Sequence, residues 1–347
     1  MKKGLALLVL VILWGNSFAI AQERRIAAYG IGFYNLQNLF DTHHDEGKAD
    51  NDYTPDGELH WDNEKYSLKL QNMARVLSDM GTDKIPAGCA VIGVSEVEKA
   101  QCLEDLCNQE PLKKRNFKFV HIDGRTLRGS DCALLYNPRF FSVRDVKLIL
   151  YKNEDDAPKD TFDVFQGFLT VSGTLADEHV TFIVNELPSF LASPRFRELA
   201  GSQIRTIKDS LLRDDPSVKI IIMGNMNANP QEKSMSVSLG AKSNVTEVEK
   251  NGLWNPWFKS NSGSYYMSEA SCMFDQIILS YSLLDPQKKK DYSTLKYFTH
   301  HVFLRDYLIS SQGRLKGHPL PTFFDKYWLK GYSNHFPVVL YLVKEKK

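Results

Sequence analysis

Apolar runs in this chain end repeatedly on an amide, a carboxylate or an imidazole. Lys219-Ile220-Ile221-Ile222-Met223-Gly224-Asn225-Met226-Asn227 has the length and branching of a buried strand and closes on Gly-Asn-Met-Asn. The same ending recurs at Phe33-Tyr34-Asn35, at Val91-Ile92-Gly93-Val94-Ser95-Glu96 and at Phe182-Ile183-Val184-Asn185-Glu186. Ser333-Asn334-His335 stands just before the run from Val338 to Val343. Strands that each deliver Asn, Glu or His at one edge of a sheet build a shared site. Strand-like segments cover residues 26–34, 90–95, 117–122, 132–136, 179–184, 218–223, 274–280 and 337–343. Many are apolar on both faces, the pattern of sheets covered on each side.

The helical period is clear twice. Tyr66, Leu70, Met73, Leu77 and Met80 recur at four-three spacing, with Asp62 and Asn63 as candidate caps and Gly81 as the stop. A second helix opens at Ser193-Pro194, a capping residue followed by proline in the first turn, and continues through Phe196, Ala200, Ile204, Ile207 and Leu211. No internal repeat or low-complexity linker interrupts the chain, so residues 22–347 read as a single domain. Many strands, few helices and long loops predict an α/β fold of two packed mixed β-sheets flanked by helices, a four-layer sandwich with its loops gathered at one edge. The longest loop, from Asp41 to Asp62, is acidic; Asp50-Asn51-Asp52 starts like a calcium loop, but the later ligand spacing fails that pattern, so a solvated loop near the site mouth is expected.

Residues 1–21 stand apart from this domain. Lys2-Lys3, an apolar stretch from Leu5 to Trp14 and the small-x-small Ala19-Ile20-Ala21 make a cleavable export signal, too short for an ordinary membrane span. Export to the periplasm or the medium is the expectation. Losing Lys2 and Lys3 takes the formal charge from +1 to −1. A near-neutral chain is a poor match for duplex DNA, because non-specific nucleic-acid affinity comes from clustered Lys and Arg. Lys113-Lys114-Arg115 and Lys288-Lys289-Lys290 read as solvated loop charge. Five cysteines are an odd number for an oxidising compartment. Cys102 and Cys107 are near enough in sequence to pair, Cys132 and Cys272 read as buried thiols, and connectivity stays open. No stretch after the signal argues for membrane docking, and a monomer is expected.

Seven motifs in order carry a resemblance to a known family. They are Tyr34-Asn35-Leu36-Gln37-Asn38-Leu39-Phe40-Asp41, Gly93-Val94-Ser95-Glu96-Val97-Glu98, Arg128-Gly129-Ser130-Asp131-Cys132-Ala133-Leu134-Leu135-Tyr136, Val184-Asn185-Glu186-Leu187-Pro188-Ser189, Met223-Gly224-Asn225-Met226-Asn227, Phe274-Asp275-Gln276-Ile277-Ile278-Leu279-Ser280 and Ser333-Asn334-His335-Phe336-Pro337-Val338. Together they resemble the endonuclease/exonuclease/phosphatase superfamily, whose fold is typified by pancreatic deoxyribonuclease. The resemblance implies hydrolysis of a phosphoester, of a class left open, with Mg²⁺ or Mn²⁺. That chemistry needs a cation against the phosphate, a polarised water and donors for developing oxyanion charge. The match assigns Glu96 and Asn35 to the metal site, Asp275 and His335 to an acid–imidazole pair, and Asn227 to phosphate or the attacking water.

The departures lie in the same motifs. Where the family reads Gly-Asp-Phe-Asn, this chain has Asn225 in place of the Asp; where it reads Ser-Asp-His, Asn334 replaces the acid that helps hold metal. Where it reads Asn-His-Trp-Pro-Ser, Asn185 is kept and Glu186 replaces the His. Asn keeps the shape of Asp but neither takes a proton nor carries charge, and loss of a positioned base typically costs roughly 10²–10⁴ in rate. Glu186 repels phosphate unless it binds metal and restores charge missing at 225 and 334. Two readings follow: a phosphoesterase with an altered, weakened site, or a descendant that only binds a nucleotide, glycan, lipid or protein. The bland reading of the asparagines is strand-end capping. The pairs His43-His44 and His300-His301 look like metal pairs, but adjacent histidines point in different directions. Trp254, Trp257, Tyr265 and Tyr266 could stack a base or sugar, although packing is the expectation.

Overall fold

A computed structural model describes residues 25–124, 126–152 and 167–346; the signal segment lies outside them. The main strands among the described residues are β1 (Ile26–Leu39), β2 (Cys89–Val97), β3 (Lys118–His121), β4 (Asp131–Tyr136), β5 (Phe141–Leu150), β6 (Gly167–Leu175), β7 (Glu178–Glu186), β8 (Lys219–Asn225), β9 (Asp275–Ser280), β10 (Lys296–Val302) and β11 (Val338–Glu345). The helices are α1 (Asn63–Asp79), α2 (Ala100–Cys107), the single turn α3 (Glu110–Lys113) and α4 (Pro194–Asp214). One sheet runs β10-β11-β1-β2-β4-β3. The other runs β5-β6-β7-β8-β9 and continues into Leu253–Trp254 and Ala241–Lys242. Only β1 with β2 and β7 with β8 pair in parallel among the main strands, and each pair is joined by a helix, α1 or α4. These are the two crossovers that parallel pairing requires.

Local chemistry explains the helices. Asp62 caps α1 by accepting a hydrogen bond from the Lys65 amide at 2.9 Å, and Gly81 follows its end with φ 80°. Ser193 precedes α4 but its hydroxyl caps nothing, so the start rests on Pro194 in the first turn. Strand β8 shows the two-residue period directly. Ile221 and Met223 enter the cluster between the sheets, whereas Ile220 and Ile222 face α4, packed with Ala200, Ile204 and Ile207. Both faces of β8 are buried, hence its unbroken apolar run. On the opposite layer, Met73 and Leu77 of α1 belong to the larger core with Ile92 and Leu340. Helix, sheet, sheet and helix thus form the four layers.

The eight strand segments read from the pattern all form. Strands β5, β6 and β10 and helix α2 were not legible. β5 and β10 lie at sheet edges with many half-exposed positions, and β6 is diluted by Thr170, Ser172, Gly173 and Thr174. Pairing partners define all three strands. The strand ends matter most for function. Parallel β1 and β2 finish together, with Asn35 opposite Ser95, and β7 and β8 finish with Glu186 opposite Asn225. Antiparallel β9 begins at the same edge, Asp275 facing Asn225, and β11 begins with Val338 facing Phe33, just after His335.

Candidate active site

Register slips at the end of β2 between Ser95 and Val97, leaving Glu96 unpaired with φ 61°. Such a bulge re-aims a side chain, here into the cleft between the sheets. Gln37, Asn38 and Asn227 also hold φ of 50°, 60° and 46°. Left-handed backbone is costly for residues with a Cβ and collects where a site imposes it. Glu96 is tied from several sides. Asn35 Nδ2 donates to its Oε1 at 2.9 Å, the Asn38 amide donates to Oε2 at 3.0 Å, and Arg128 approaches Oε2 at 3.4 Å. Asn35 itself is fully buried and its Oδ1 accepts from the Gln37 amide, so it meets the cleft through Glu96.

Glu186 lines the same cleft as Glu96 and comes from the other sheet, close enough for each carboxyl to shift the other's ionisation. Asn225 Nδ2 lies 3.4 Å from Glu186 Oε1. The close approach of β7 to β8 depends on Gly224, where a Cβ would sit 2.0 Å from the Asn185 carbonyl oxygen. Two buried carboxyls in one place do not both ionise readily. Burial and then the Glu96 charge push the Glu186 carboxyl well above its ordinary range. Burial also opposes ionisation of Glu96, but Arg128, the Asn35 amide and His335 outweigh it and hold that carboxyl low. Glu186 is therefore the carboxyl that resists ionisation, and Glu96 the one that holds its charge.

On the facing wall, His335 Nδ1 lies 2.6 Å from Asp275 Oδ2, with both residues at least 95% buried. Ser333 aligns this segment, its hydroxyl donating to the Asn35 carbonyl at 2.7 Å and accepting from the His335 amide at 3.1 Å. Asn225 Oδ1 accepts from the Asn227 amide, and Asn227 Nδ2 donates to the Leu187 carbonyl at 2.8 Å. Glu96, Glu186, Asn225, Asn227, Asn334 and His335 line one cleft of about 200 Å³. Asn185, Asn35 and Asp275 stand behind it; Asn185 Nδ2 donates to the Met223 carbonyl at 3.1 Å and does not reach the cleft surface.

Sequence reasoning gave no role to Arg128 and expected packing for Tyr265. Arg128 reaches Asn38 Oδ1 at 2.7 Å and is the cleft wall's cationic side chain among the described residues. Tyr265 lies 4.8 Å from His335, ring centre to ring centre, and stacks on Phe274. Arg128 was visible inside a quoted motif, and Tyr265 inside the aromatic cluster that could stack a base or sugar. The acidic loop turns out to be structural. Asp50 is buried rather than solvated and bonds His44; Lys99 pairs with Asp41, Asp45 and Glu98 at 2.9–3.2 Å. Lys48 Nζ and the Ala49 amide fasten the segment before Arg128, at the carbonyls of Thr126 (2.9 Å) and Leu127 (2.8 Å). Adjacent histidines do diverge: His300 meets Tyr297, and His301 meets Asp83. Trp257 is core, whereas Tyr265 and Tyr266 border clefts. All five cysteines are free thiols, including Cys102 and Cys107.

Oxygen donors suit a hard divalent cation. Glu96 and Glu186 are paired acids, and Asn334 Oδ1 is a buried oxygen without a hydrogen-bond partner at the same cleft. Such a donor set fits Mg²⁺ or Mn²⁺. The ligand-like groups Asp45–Asp50–Glu98 and His121–Asp123–Asp131 are separate from this pair.

The geometry agrees with the comparisons. The solved structures most similar in shape include an endonuclease/exonuclease/phosphatase family protein from Bacteroides thetaiotaomicron, 15% identical, covering 93% of this chain and 97% of its own, TM-score 0.56. A mannosyl-6-phosphatase from the same organism is 15% identical over 90% and 99%, TM-score 0.54. A humanized D. rerio TDP2 is 11% identical over 91% and 98%, TM-score 0.52. No curated protein matches the sequence. No described helix is long and apolar enough to cross a membrane. The sequence model of the Endonuclease/Exonuclease/phosphatase family matches residues 30–344, and the chain belongs to that family.

Proposed function

We propose that this chain hydrolyses a phosphoester with a bound Mg²⁺ or Mn²⁺, in a site where Glu186 supplies charge that the family places at 225 and 334. One observation carries this reading: Glu186 and Glu96 line one cleft from the two sheets, with the Asp275–His335 pair beside them. Glu96, Glu186 and Asn334 Oδ1 would hold the cation. When bound, it neutralises phosphate charge and polarises water. Asn35 positions Glu96. Asp275 accepts a hydrogen bond from His335 Nδ1–H, which leaves Nε2 to exchange a proton with water or a phosphoryl oxygen. Arg128 offers N–H donors to a non-bridging oxygen. Asn225 orients the Asn227 backbone but accepts no proton, so turnover is slow for this fold.

The reading extends to an exported, monomeric domain of residues 22–347, released near Ala21; the signal-like start and a mature charge of −1 support it. Neighbours of this fold include a mannosyl-6-phosphatase and a D. rerio TDP2 complexed with a single-strand DNA product. A small phosphoester suits this cleft better than duplex DNA, given one arginine on its wall among the described residues. The amide at 225 favours the second reading, binding without turnover, and the same experiment separates the two. The mature chain from Gln22 is assayed on p-nitrophenyl phosphate and bis-p-nitrophenyl phosphate with Mg²⁺ and Mn²⁺. The Glu96→Ala/His335→Ala double variant serves as blank. We expect cation-dependent turnover that falls by roughly 10²–10⁴ in the double variant. Equal rates for the two folded proteins would leave the binding reading standing instead.

A further inference from the structure

A second groove of about 350 Å³ opens beside the cleft and shares Tyr265 and Asn334 with it. Its walls carry the rings of Tyr53, Tyr265, Tyr266, His318, Phe323 and Phe324. Among the described residues on this wall, the charged side chain is Asp325, an acid. Stacking fixes the ring planes: Tyr266 lies 4.4 Å from His318 at 19°, and Tyr53 lies 4.5 Å from Phe40 at 17°.

The wall is also held in place before any ligand arrives. Buried Lys69 of α1 donates to Thr322 Oγ1 at 2.5 Å and to the Tyr332 carbonyl at 2.6 Å. Gln37 bonds the Thr322 amide at 2.9 Å and the Phe323 carbonyl at 3.1 Å. Asn72 Nδ2 donates to the Gly331 carbonyl at 2.8 Å. Pre-organised walls spare a ligand the cost of ordering them.

Resting on the phosphoesterase reading, we propose that this groove receives the alcohol half of the substrate, a neutral ring with an apolar face, while its single phosphate lies at the cation that Glu96 and Glu186 would hold, beside His335. Aromatic walls match such a face. Arg314 lies 5.8 Å over the Phe324 ring, and with the acid Asp325 beside it that edge offers no net positive charge to a second phosphate or a polyanionic strand. A pyranose and a nucleoside share this chemistry. Two arms tell them apart. In the first, saturation-transfer NMR on the mature chain reads binding of the phosphate-free compounds, a methyl hexopyranoside and adenosine. In the second, kcat/KM with Mn²⁺ is compared for a hexose 6-phosphate, adenosine 5′-monophosphate and glycerol phosphate. Phe324→Leu, which keeps apolar bulk but removes the ring, and Tyr266→Ala are run alongside, with thermal unfolding as the folding control.

We expect one ring compound to bind and its phosphate ester to outrun glycerol phosphate about tenfold, with that advantage lost in Phe324→Leu. The better ring names the source. Ring binding without turnover of any ester would sustain the groove and defeat the phosphoesterase reading. The groove proposal is overturned if neither ring binds, if Phe324→Leu and Tyr266→Ala bind unchanged, or if glycerol phosphate is hydrolysed as fast as both ring esters.

Discussion

At residue 225 the change from acid to amide is conservative in shape and drastic in chemistry. The Asn225 side chain accepts from the Asn227 amide through Oδ1, a bond that a carboxylate also accepts. Asn225→Asp therefore keeps the backbone arrangement, and turnover on p-nitrophenyl phosphate is expected to rise by roughly tenfold or more as a proton acceptor returns; an unchanged rate would show that the site no longer needs one there. Glu186 leads to a pH prediction. Burial and Glu96 hold its carboxyl protonated above the ordinary carboxylate range, so a cation that binds both glutamates must expel that proton. Affinity for Mn²⁺ should rise with pH until the Glu186 proton is gone and level off above that. Titration calorimetry in two buffers of different ionisation enthalpy reads the released proton. Glu186→Gln is expected to lose both the release and about tenfold in affinity. The nearness of the two carboxyls was not legible, because Glu96 and Glu186 lie 90 residues apart in sequence, although their types and the substitutions were.

At the scale of elements, α1 anchors the wall of the aromatic groove through one buried lysine. Burial lowers the Lys69 amine from 10.5 to about 7, with Glu96 opposing the shift. Between those values the unfolded chain holds a proton that the folded chain has lost, so stability rises with pH across the window. The benefit is complete above the unfolded value, shrinks as pH falls and is gone below about 7. Urea unfolding of wild type and Lys69→Met from pH 6.5 to 9.5 should show the wild-type curve climbing relative to the variant. Parallel curves would mean that Lys69 stays charged in place. The apolar stripe of α1 was plain from its period, since Leu70, Met73 and Leu77 recur on one face. That Lys69 turns inward was not, because Thr322 and the Tyr332 carbonyl approach it from more than 250 residues away.

At the scale of the molecule, the two sheets pack directly against each other where Gly93 of β2 faces Met223 of β8. A Cβ on Gly93 would lie 2.5 Å from the Met223 sulfur and 3.1 Å from Phe33. Gly93→Ala is expected to destabilise the fold by about 1–3 kcal/mol through overpacking, and Met223→Ala by about 2–5 kcal/mol through a cavity. The double variant should cost less than the sum, because each change makes room for the other; additive losses in urea unfolding would place the contact elsewhere. The sheets have to pack at this distance for the ends of β1 and β2 to meet those of β7 and β8.

The sequence by itself determined the buried strands, two helices, the family and the polar residues at the strand ends, because period, branching and motif order are local properties. Edge strands β5 and β10 escaped it, since partners on one side define them. Only the tertiary structure decided which of those polar residues touch. Asn35 and Asn185 sit behind the surface, Glu186 crosses to Glu96, and Arg128 and Tyr265 join the wall. Those juxtapositions depend on how two twisted sheets pack face to face, and packing between distant segments leaves no periodic trace along the chain.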